Sequence, residues 1–222
     1  MYQNIPTKVL TGEVRLSYVN LVTPKAQNPG DTPKYSVQIL IPKTDTATYN
    51  DIMQSIEAAA QKAVNEKWGG VRPNFAPILH DGDGVKPDAG TPYSEECKGH
   101  WVLNASSTQK PGVVDISNIN VDLAPQDIYS GMYARVTLNF YGYKNRKTGV
   151  GCGLGNVMKT REGEPLGGGA SAASDFAAVG QAVANAPTAN GPAVNPVTGQ
   201  PVNATPAINP ITGLPMYWAI ER

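Results

Sequence analysis

Three tyrosines and an arginine lie on one set of alternate positions within residues 131–143, and this pattern gives the segment a capacity for binding chemistry. One set of alternate positions is apolar: Met132, Ala134, Val136, Leu138 and Phe140. The other set carries phenol rings, a guanidinium and polar groups: Tyr133, Arg135, Thr137, Asn139, Tyr141 and Tyr143. Strict alternation predicts a β-strand with one buried face. The opposite face could bind a flat, anionic ligand, because rings stack and a guanidinium pairs with negative charge.

A basic turn and a glycine-rich run follow this strand. The turn contains Lys144, Arg146 and Lys147, and glycine then occupies positions 149, 151, 153 and 155. Glycine inside a strand usually marks a close approach by another group. A hairpin of the two runs would therefore set the tyrosines and Arg135 beside bare backbone, and we interpret it as a stacking platform for nucleobases, rimmed by charge. The alternative is that the tyrosines cover a neighbouring loop or subunit.

Two strands are predicted before this hairpin, with lysines near their ends. Residues 8–22 alternate, and Val14, Leu16 and Tyr18 are expected on one face. Residues 23–33 are rich in proline, glycine and other turn formers, so they should form a loop, which carries Lys25. The second strand, over 34–41, begins with Lys34 and ends at Pro42. Lys25 and Lys34 could extend a binding groove.

One helix and two further strands complete the predicted body. Apolar residues recur every three or four positions from Asp45 to Trp68, which indicates an amphipathic helix capped by Asp45 or Thr46 and ended by Gly69 and Gly70. Strands are predicted over 100–106 and 113–116, with Lys110 as a candidate phosphate contact between them. Trp68 and Trp101 are interpreted as core residues, and they are the next stacking candidates if the tyrosines are not the platform.

No catalytic, cofactor or metal site is predicted. The glycines from 149 to 155 keep a period of two and precede no helix, unlike a dinucleotide-binding loop. The two histidines lie in no nucleophile motif. The run Asp81-Gly-Asp-Gly84 lacks the third acidic position of a calcium loop, and Cys97 and His100 have no second pair of zinc ligands. The expected function is therefore binding rather than catalysis.

Charge and composition restrict the kind of ligand and the cellular compartment expected for the protein. Among its 222 residues, positions 1–161 carry 17 Lys and Arg against 14 Asp and Glu, a net charge of +3, and the remainder carries −3. A mildly basic body is a weak form of the asymmetry seen in nucleic-acid-binding proteins. Two cysteines make no disulfide framework, and neither a signal peptide nor a membrane span is recognisable. We expect the cytoplasm and no contact with membranes.

The composition changes after Arg161, which predicts two parts: a binding domain over 1–161 and a Gly/Ala/Pro-rich linker and tail over 162–222. Asn195–Pro201 recurs fourteen residues later as Asn209–Pro215, and seven prolines between 184 and 216 predict an extended, disordered chain. The tail ends in an apolar, aromatic tip with Tyr217 and Trp218, which could dock in a partner protein. A passive spacer, or a tip that folds back over the platform, are the alternatives.

Several strands with one intervening helix suggest a mainly β architecture: a small barrel like the oligonucleotide-binding fold, with a disordered C-terminal tail. An ordered series of short motifs then resembles the tailed-phage single-stranded DNA-binding proteins, a family formerly catalogued as a domain of unknown function. The motifs are Arg15-Leu-Ser-Tyr-Val-Asn20, Lys34–Lys43, Lys67-Trp-Gly-Gly70, Leu79-His-Asp-Gly-Asp83, Gly99–Ser107, Pro111-Gly-Val-Val-Asp115, Tyr129-Ser-Gly131 and Gly163–Gly168.

The resemblance covers about residues 9 to 176 and implies a protein that coats phage DNA during replication or recombination in an infected bacterial cell. Its partners would be single-stranded DNA and, through the tail, phage or host replication proteins. The chain departs from many proteins of this functional class because its C-terminal tip is aromatic rather than densely acidic. The rival hypothesis is a phage structural protein, such as a decoration or tail component, that binds no nucleic acid.

Overall fold

A computed structural model describes residues 2–167, and nine strands with one long helix make up most of this part of the chain. The strands are β1 Lys8–Leu10, β2 Val14–Lys25, β3 Lys34–Pro42, β4 Leu79–Asp81, β5 His100–Ser107, β6 Val113–Asp115, β7 Asn118–Asp122, β8 Tyr133–Lys144 and β9 Thr148–Arg161. The helix α1 is Thr46–Glu66, and Glu95–Cys97 and Pro125–Asp127 are single 3₁₀ turns.

Five of the strands close into a barrel. β2 pairs with β3, β3 with β5, β5 with β9, β9 with β8, and β8 returns to β2. Only the β5–β9 pairing in this ring is parallel. This order, with one parallel closure, is that of an oligonucleotide-binding barrel, and the predicted fold class is confirmed. The two shortest pairings of the ring are β2–β8, at Val14 and Arg15, and β5–β9, at Ser106 and Gly153.

Alternate residues of the five strands fill the barrel with aliphatic side chains. The most completely buried include Leu16, Ile39, Leu103, Val136, Leu138 and Phe140. Trp101, Leu103 and Ala105 also belong to this core, as the sequence predicted. A second, smaller cluster lies outside the barrel wall, where Leu40, Cys97 and Val102 are covered by Tyr93 and Leu166.

The helix closes one end of the barrel, and of its two predicted caps, Asp45 and Thr46, the structure shows Asp45. The carboxylate of Asp45 accepts a hydrogen bond from the backbone N–H of Thr48, at 3.0 Å. At the other end, Trp68 is 6 % exposed, and its indole N–H donates to the carbonyl of Tyr143 at 3.0 Å. Lys67 Nζ likewise donates to the carbonyl of Gly142. The helix is thus fixed to β8, and Trp68 is the core residue that the sequence indicated.

Three details of the predicted first strand are wrong. The strand extends to Lys25, so Lys25 lies on β2 and not on the predicted loop. The chain breaks between β1 and β2, because Gly12 passes so close to the helix N-terminus that an added Cβ would lie 2.3 Å from a carboxylate oxygen of Asp45. Tyr18 was expected on the buried face with Val14 and Leu16, but it is 61 % exposed. A bulge after Ser17 gives Tyr18 a φ of 47° and turns its ring outward.

Beyond the ring, β6 pairs with β9, and β7 forms a hairpin with β6 that the sequence did not predict. The chain after β9 stays on the barrel up to Gly167: Leu166 N–H donates to the carbonyl of Ser130, and Glu164 O accepts from Arg15. The division of the chain at residue 161 remains a prediction, and the predicted tail lies outside the described residues.

Candidate nucleic-acid interface

A polar strip crosses the outer wall of the barrel. Asn20 lies opposite Ser36, Ser36 opposite Ser106, and Ser106 opposite Gly153, so β2, β3, β5 and β9 each contribute one member of a row. The neighbouring row contains Gln38 and Asn104, whose amides approach to 3.4 Å. These small uncharged groups can donate to or accept from many partners, and they leave room for a ligand to lie across the strands. We call this surface the outer groove.

Tyr18 stands at the β2 side of the outer groove. Its exposed ring lines a depression of about 340 Å³ that it shares with Gln38 and Asn104. A φ of 47° is unusual for a bulky residue and costs energy, so the surrounding bulge must hold it there. An exposed ring in a strained backbone, at the rim of a polar groove, is a good stacking platform for a planar group.

Tyr141 stands at the opposite side of the outer groove and rests on the glycine strip. The β8–β9 register sets Tyr141 against Gly151 and Tyr143 against Gly149, as the predicted hairpin required. An added Cβ at Gly151 would lie 2.8 Å from Cζ of Tyr141, so only glycine lets the ring lie this close to the backbone. Tyr141 remains 43 % exposed, and burial raises the pKa of its phenol, which keeps the ring uncharged.

Two lysines face each other at one end of the outer groove. Lys25 of β2 and Lys34 of β3 are direct cross-strand partners, and both are exposed. With Ser36 and Ser106 they line a depression of about 290 Å³, which also includes Asp31. Like charges directly opposite each other repel, so this pair destabilises the unliganded strands and favours a bound anion. Lys110 lies beside Leu21 and Val22, toward the same end of β2.

The other end of the groove combines a lysine with an aromatic ring and a histidine. Lys86 Nζ lies 5.9 Å from the ring centroid of Tyr93, and His80 lines the same depression. Burial lowers the pKa of His80, although the carboxylate of Asp88 opposes this shift. His80 is therefore neutral at pH 7, and Lys86 supplies the positive charge at this end.

The structure separates Tyr133 and Arg135 from the other predicted site residues. Both lie on the outward face of β8, but Tyr133 is eight residues from Tyr141, or about 26 Å along a strand. The guanidinium of Arg161 lies 3.3 Å from the ring centroid of Tyr133, with Arg15 at 5.8 Å. Arg135 Nε donates to the carbonyl of Thr11, at 2.9 Å. These contacts give both side chains a structural role.

Lys144, Arg146 and Lys147 occupy the exposed β8–β9 turn. Within residues 2–167, none of the three forms an ion pair with a carboxylate. Lys67 and Trp68 fix the base of the hairpin by their bonds to Gly142 and Tyr143. The turn therefore presents three cations from a fixed base, on the strand that also carries Tyr141.

Sequence reasoning missed Tyr18 and Tyr93 as members of this surface. A signal for Tyr18 exists, since the apolar positions of β2 change from even, at Val14 and Leu16, to odd, at Val19 and Leu21. Such a change of phase within one strand indicates a bulge. No local pattern marks Tyr93, which reaches the groove from a loop. The tip residues Tyr217 and Trp218, predicted to bind a partner, lie outside the described residues.

The described part of the chain offers little support for other kinds of site. Residues 2–167 contain no group of three or more acidic, histidine or cysteine side chains able to hold a metal ion. Asp81 and Asp83, considered above as calcium ligands, instead pair with Lys43 at 2.5 and 2.6 Å. No helix in this part is long and apolar enough to cross a membrane.

Comparisons with known proteins show similarity to phage single-stranded DNA-binding proteins. Residues 7–186 match the model of a family described as the single-stranded DNA-binding protein of Enterobacter phage Enc34. The solved structure of that phage's single-stranded DNA-binding protein in complex with single-stranded DNA is similar, with a TM-score of 0.62 and 27 % identity, and covers 72 % of this chain and 90 % of that one. A C-terminal truncation of the phage protein gives a TM-score of 0.59 and 25 % identity, over 72 % and 88 % of the two chains.

A curated relative extends the match to another phage. Protein p50 of Acyrthosiphon pisum secondary endosymbiont phage 1 is 30 % identical over 181 residues, which covers 76 % of this chain and 92 % of that protein. The matched segments in these comparisons include most of the barrel, where the outer groove lies.

Proposed function

The chain belongs to the Enc34 family of phage single-stranded DNA-binding proteins, and from that membership we propose that it binds single-stranded DNA across the outer groove. The observation that carries the proposal is the direct pairing of Lys25 with Lys34 at one end of a tyrosine-flanked polar groove. Two lysines held face to face favour a phosphate between them, and exposed rings favour unpaired bases. Double-stranded DNA keeps its bases stacked internally and could not use Tyr18 or Tyr141 in this way.

Binding of this kind tolerates any sequence. Every base has a flat face, so stacking on Tyr18 and Tyr141 does not distinguish one base from another. Lys25, Lys34 and Lys86 would neutralise phosphates, and the β8–β9 turn would add Lys144, Arg146 and Lys147. The serines and amides of the groove are too adaptable to impose a strong base preference. We propose Tyr143 and Lys110 as peripheral contacts, and we assign Tyr133 and Arg135 mainly to the stability of the barrel.

In an infected bacterial cell, such a protein would coat and protect single-stranded DNA during phage replication or recombination. Its contribution would be binding alone, without catalysis and without a cofactor. The cytoplasm of the host is the compartment in which the phage DNA is copied, and we place the protein there.

The C-terminal segment would serve a separate purpose. We propose that residues 162–222 form a linker and tail whose tip, with Tyr217 and Trp218, recruits phage or host replication proteins. An anchor of two large aromatic side chains on a long tether suits this role, since aromatic residues dominate many binding sites. A passive spacer, or a tip that competes with DNA for the groove, are the alternatives.

A titration with labelled oligo-dT at two salt concentrations tests the proposed function. We expect saturable binding that weakens as salt rises, with a log–log slope near −0.7 for each phosphate neutralised, so about four neutralised phosphates give a slope near −3. A duplex of the same length should compete poorly. If the protein binds no oligonucleotide at moderate salt, the phage structural role becomes the better hypothesis.

A further inference from the structure

The β6–β7 hairpin, residues 113–122, presents branched apolar side chains to solvent. Ile116 is 54 % exposed, Ile119 62 % and Val121 60 %. Every residue of β7 is exposed, and the hairpin contacts the barrel through the pairing of β6 with β9. Three large aliphatic side chains on one short hairpin exceed the scattered exposure usual on a protein surface. The hairpin carries Asp115 and Asp122 but no cation.

A preformed apolar groove lies on another part of the barrel, between α1 and the chain that leads to β4. Its volume is about 350 Å³. It is lined by Tyr49, Met53, Ile56, Phe75, Ile78 and Trp101. Tyr49 and Trp101 hold each other in place, with ring centroids 4.9 Å apart, and Met53 is 43 % exposed. The ion pair of Arg72 with Glu57 forms part of the rim. We call this the helix groove.

The hairpin and the helix groove lie at opposite ends of the barrel. β5 and β9 run parallel, with Ser106 level with Gly153. Trp101 of the helix groove comes five residues before Ser106, whereas β6 pairs with β9 at Val157, four residues beyond Gly153. Nine residues of strand span about 30 Å. The hairpin therefore cannot reach the helix groove of its own molecule.

We propose that the β6–β7 hairpin of one copy inserts Ile119 and its apolar neighbours into the helix groove of the next copy. The contact joins two different surfaces, so it can repeat without closing and produce a linear array. Such an array is what coverage of a DNA strand requires, and in this respect the inference rests on the proposed function. Arg72 at the rim is already paired with Glu57, so the apolar side chains of the hairpin, matched to the apolar lining of the helix groove, carry the contact. None of the residues that line the helix groove lines either depression of the outer groove, which stays open for DNA.

Affinities for a short and a long oligonucleotide distinguish this contact from DNA binding itself, because only the long strand holds several copies side by side. The full chain and its variants Ile119→Asp, Met53→Asp and Ile5→Asp are titrated with an oligo-dT of about 10 nucleotides, near the site of one barrel, and with one of about 60. Ile5 is 40 % exposed and lines neither the hairpin nor the helix groove, so Ile5→Asp is the matched control. Unchanged affinity for the short strand shows that a variant is folded.

We expect Ile119→Asp and Met53→Asp each to lose about tenfold or more of the preference for the long strand, while Ile5→Asp keeps it. Absence of binding to the short strand by the wild type would contradict the proposed function, whereas wild-type preference for the long strand in both variants would overturn only the contact between copies.

A mixture of the two variants tests the polarity of the contact. Ile119→Asp keeps an intact helix groove and Met53→Asp keeps an intact hairpin, so together they can form one productive contact. On a strand long enough for two copies, the equimolar mixture should recover cooperative binding that neither variant shows alone. If Met53→Asp alone is as cooperative as the wild type while Ile119→Asp is not, the hairpin meets a different surface and the proposal is wrong.

Discussion

At the scale of single residues, Tyr18 differs from the three tyrosines that the sequence predicted as a stacking platform. Tyr141 and Tyr143 lie on glycines, and Tyr133 lies against Arg161, so each has a structural reason for its place. Tyr18 has a φ of 47° and is 61 % exposed, and both features cost stability rather than add to it. A conformation of this kind is usually kept for function.

Replacement of Tyr18 by alanine should therefore weaken binding to oligo-dT by about 1–3 kcal/mol, the usual contribution of one stacked base. The salt slope should not change, because stacking releases no counterions. Tyr18→Phe retains the ring and should bind nearly as the wild type does. Tyr18→Gly relieves the left-handed φ, so it should melt no lower than Tyr18→Ala and bind equally poorly. Wild-type affinity in the alanine variant would remove Tyr18 from the site.

The pairing of Lys25 with Lys34 leads to a second prediction, in which stability and binding change in opposite directions. Lys25→Ala or Lys34→Ala removes a repulsion between the strands, so Tm should stay the same or rise. Binding should weaken, and the log–log salt slope should become less steep by about 0.7 for each phosphate that is no longer neutralised. Lys98→Ala, an exposed lysine that lines neither depression of the outer groove, is the control and should leave the slope unchanged. An unaltered slope in both groove variants would mean that no phosphate lies there.

At the scale of elements, the β8–β9 hairpin joins the groove to the helix. Its glycine strip admits Tyr141 and Tyr143, and its base is fixed by Lys67 and Trp68. The same hairpin carries the basic turn beyond the barrel wall. Because the base is fixed and the turn is exposed, charge and packing can be changed separately in this element.

Removal of the positive charge from the β8–β9 turn tests whether that charge contributes to DNA binding. The triple variant Lys144→Ala, Arg146→Ala, Lys147→Ala should flatten the salt slope of oligonucleotide binding, with little change in Tm, since all three side chains are exposed. Circular dichroism and the same two-salt titration are sufficient measurements. A variant that keeps both affinity and slope would show that the turn is a solvated hairpin end and takes no part in binding.

A substitution at Gly142 tests how the packing of α1 against the base of the β8–β9 hairpin contributes to stability. An added Cβ at Gly142 would lie 2.1 Å from Cβ of Ala63 in the helix, so Gly142→Ala must move α1 or β8. Overpacking of this kind typically costs about 1–3 kcal/mol in the free energy of unfolding. Gly112→Ala meets nothing closer than 3.3 Å, a side-chain oxygen of Asn156, and is the milder control. Equal unfolding midpoints in urea for the two variants would show that the helix adapts freely.

At the scale of the whole molecule, we propose that the described barrel provides the DNA-binding surface and that the tail provides recruitment. The family match covers residues 7–186, so the proline repeats and the aromatic tip lie outside the matched residues. If the two parts act separately, DNA binding and recruitment of a partner protein can be removed independently.

Deletion of residues 181–222 tests that division. Recruitment predicts unchanged affinity for oligo-dT and the loss of a replication partner in pull-downs from infected cells. A tip that competes for the groove predicts tighter binding by the truncated form. A full-length variant with Tyr217→Ala and Trp218→Ala is the matched control, because it removes the anchor but keeps the tether. Several-fold weaker binding after truncation would contradict both, and would place the tail in the DNA-binding surface.

The sequence by itself determined the barrel class, the single helix with its cap at Asp45 or Thr46, and the β8–β9 hairpin with its glycine strip. These features depend on interactions between residues close in sequence: alternation along a strand, capping within one turn, and glycine opposite tyrosine in one hairpin. The family could also be identified, because its motifs are short runs in a fixed order. Trp68 and Trp101 were also correctly assigned to the core, because the periodicity of the helix and of the strand places them with apolar neighbours.

Only the tertiary structure decided which of the candidate side chains share a surface. Alternation places Tyr133, Arg135 and Tyr141 on one face, but it cannot show that Arg161 comes from β9 to cover Tyr133 or that Arg135 bonds to the carbonyl of Thr11. The meeting of Lys25 with Lys34 depends on strand register across a loop. The outer groove combines Tyr18, Asn104 and Tyr141 because β5 closes the barrel against β9, and closure between strands so distant in sequence leaves no local pattern.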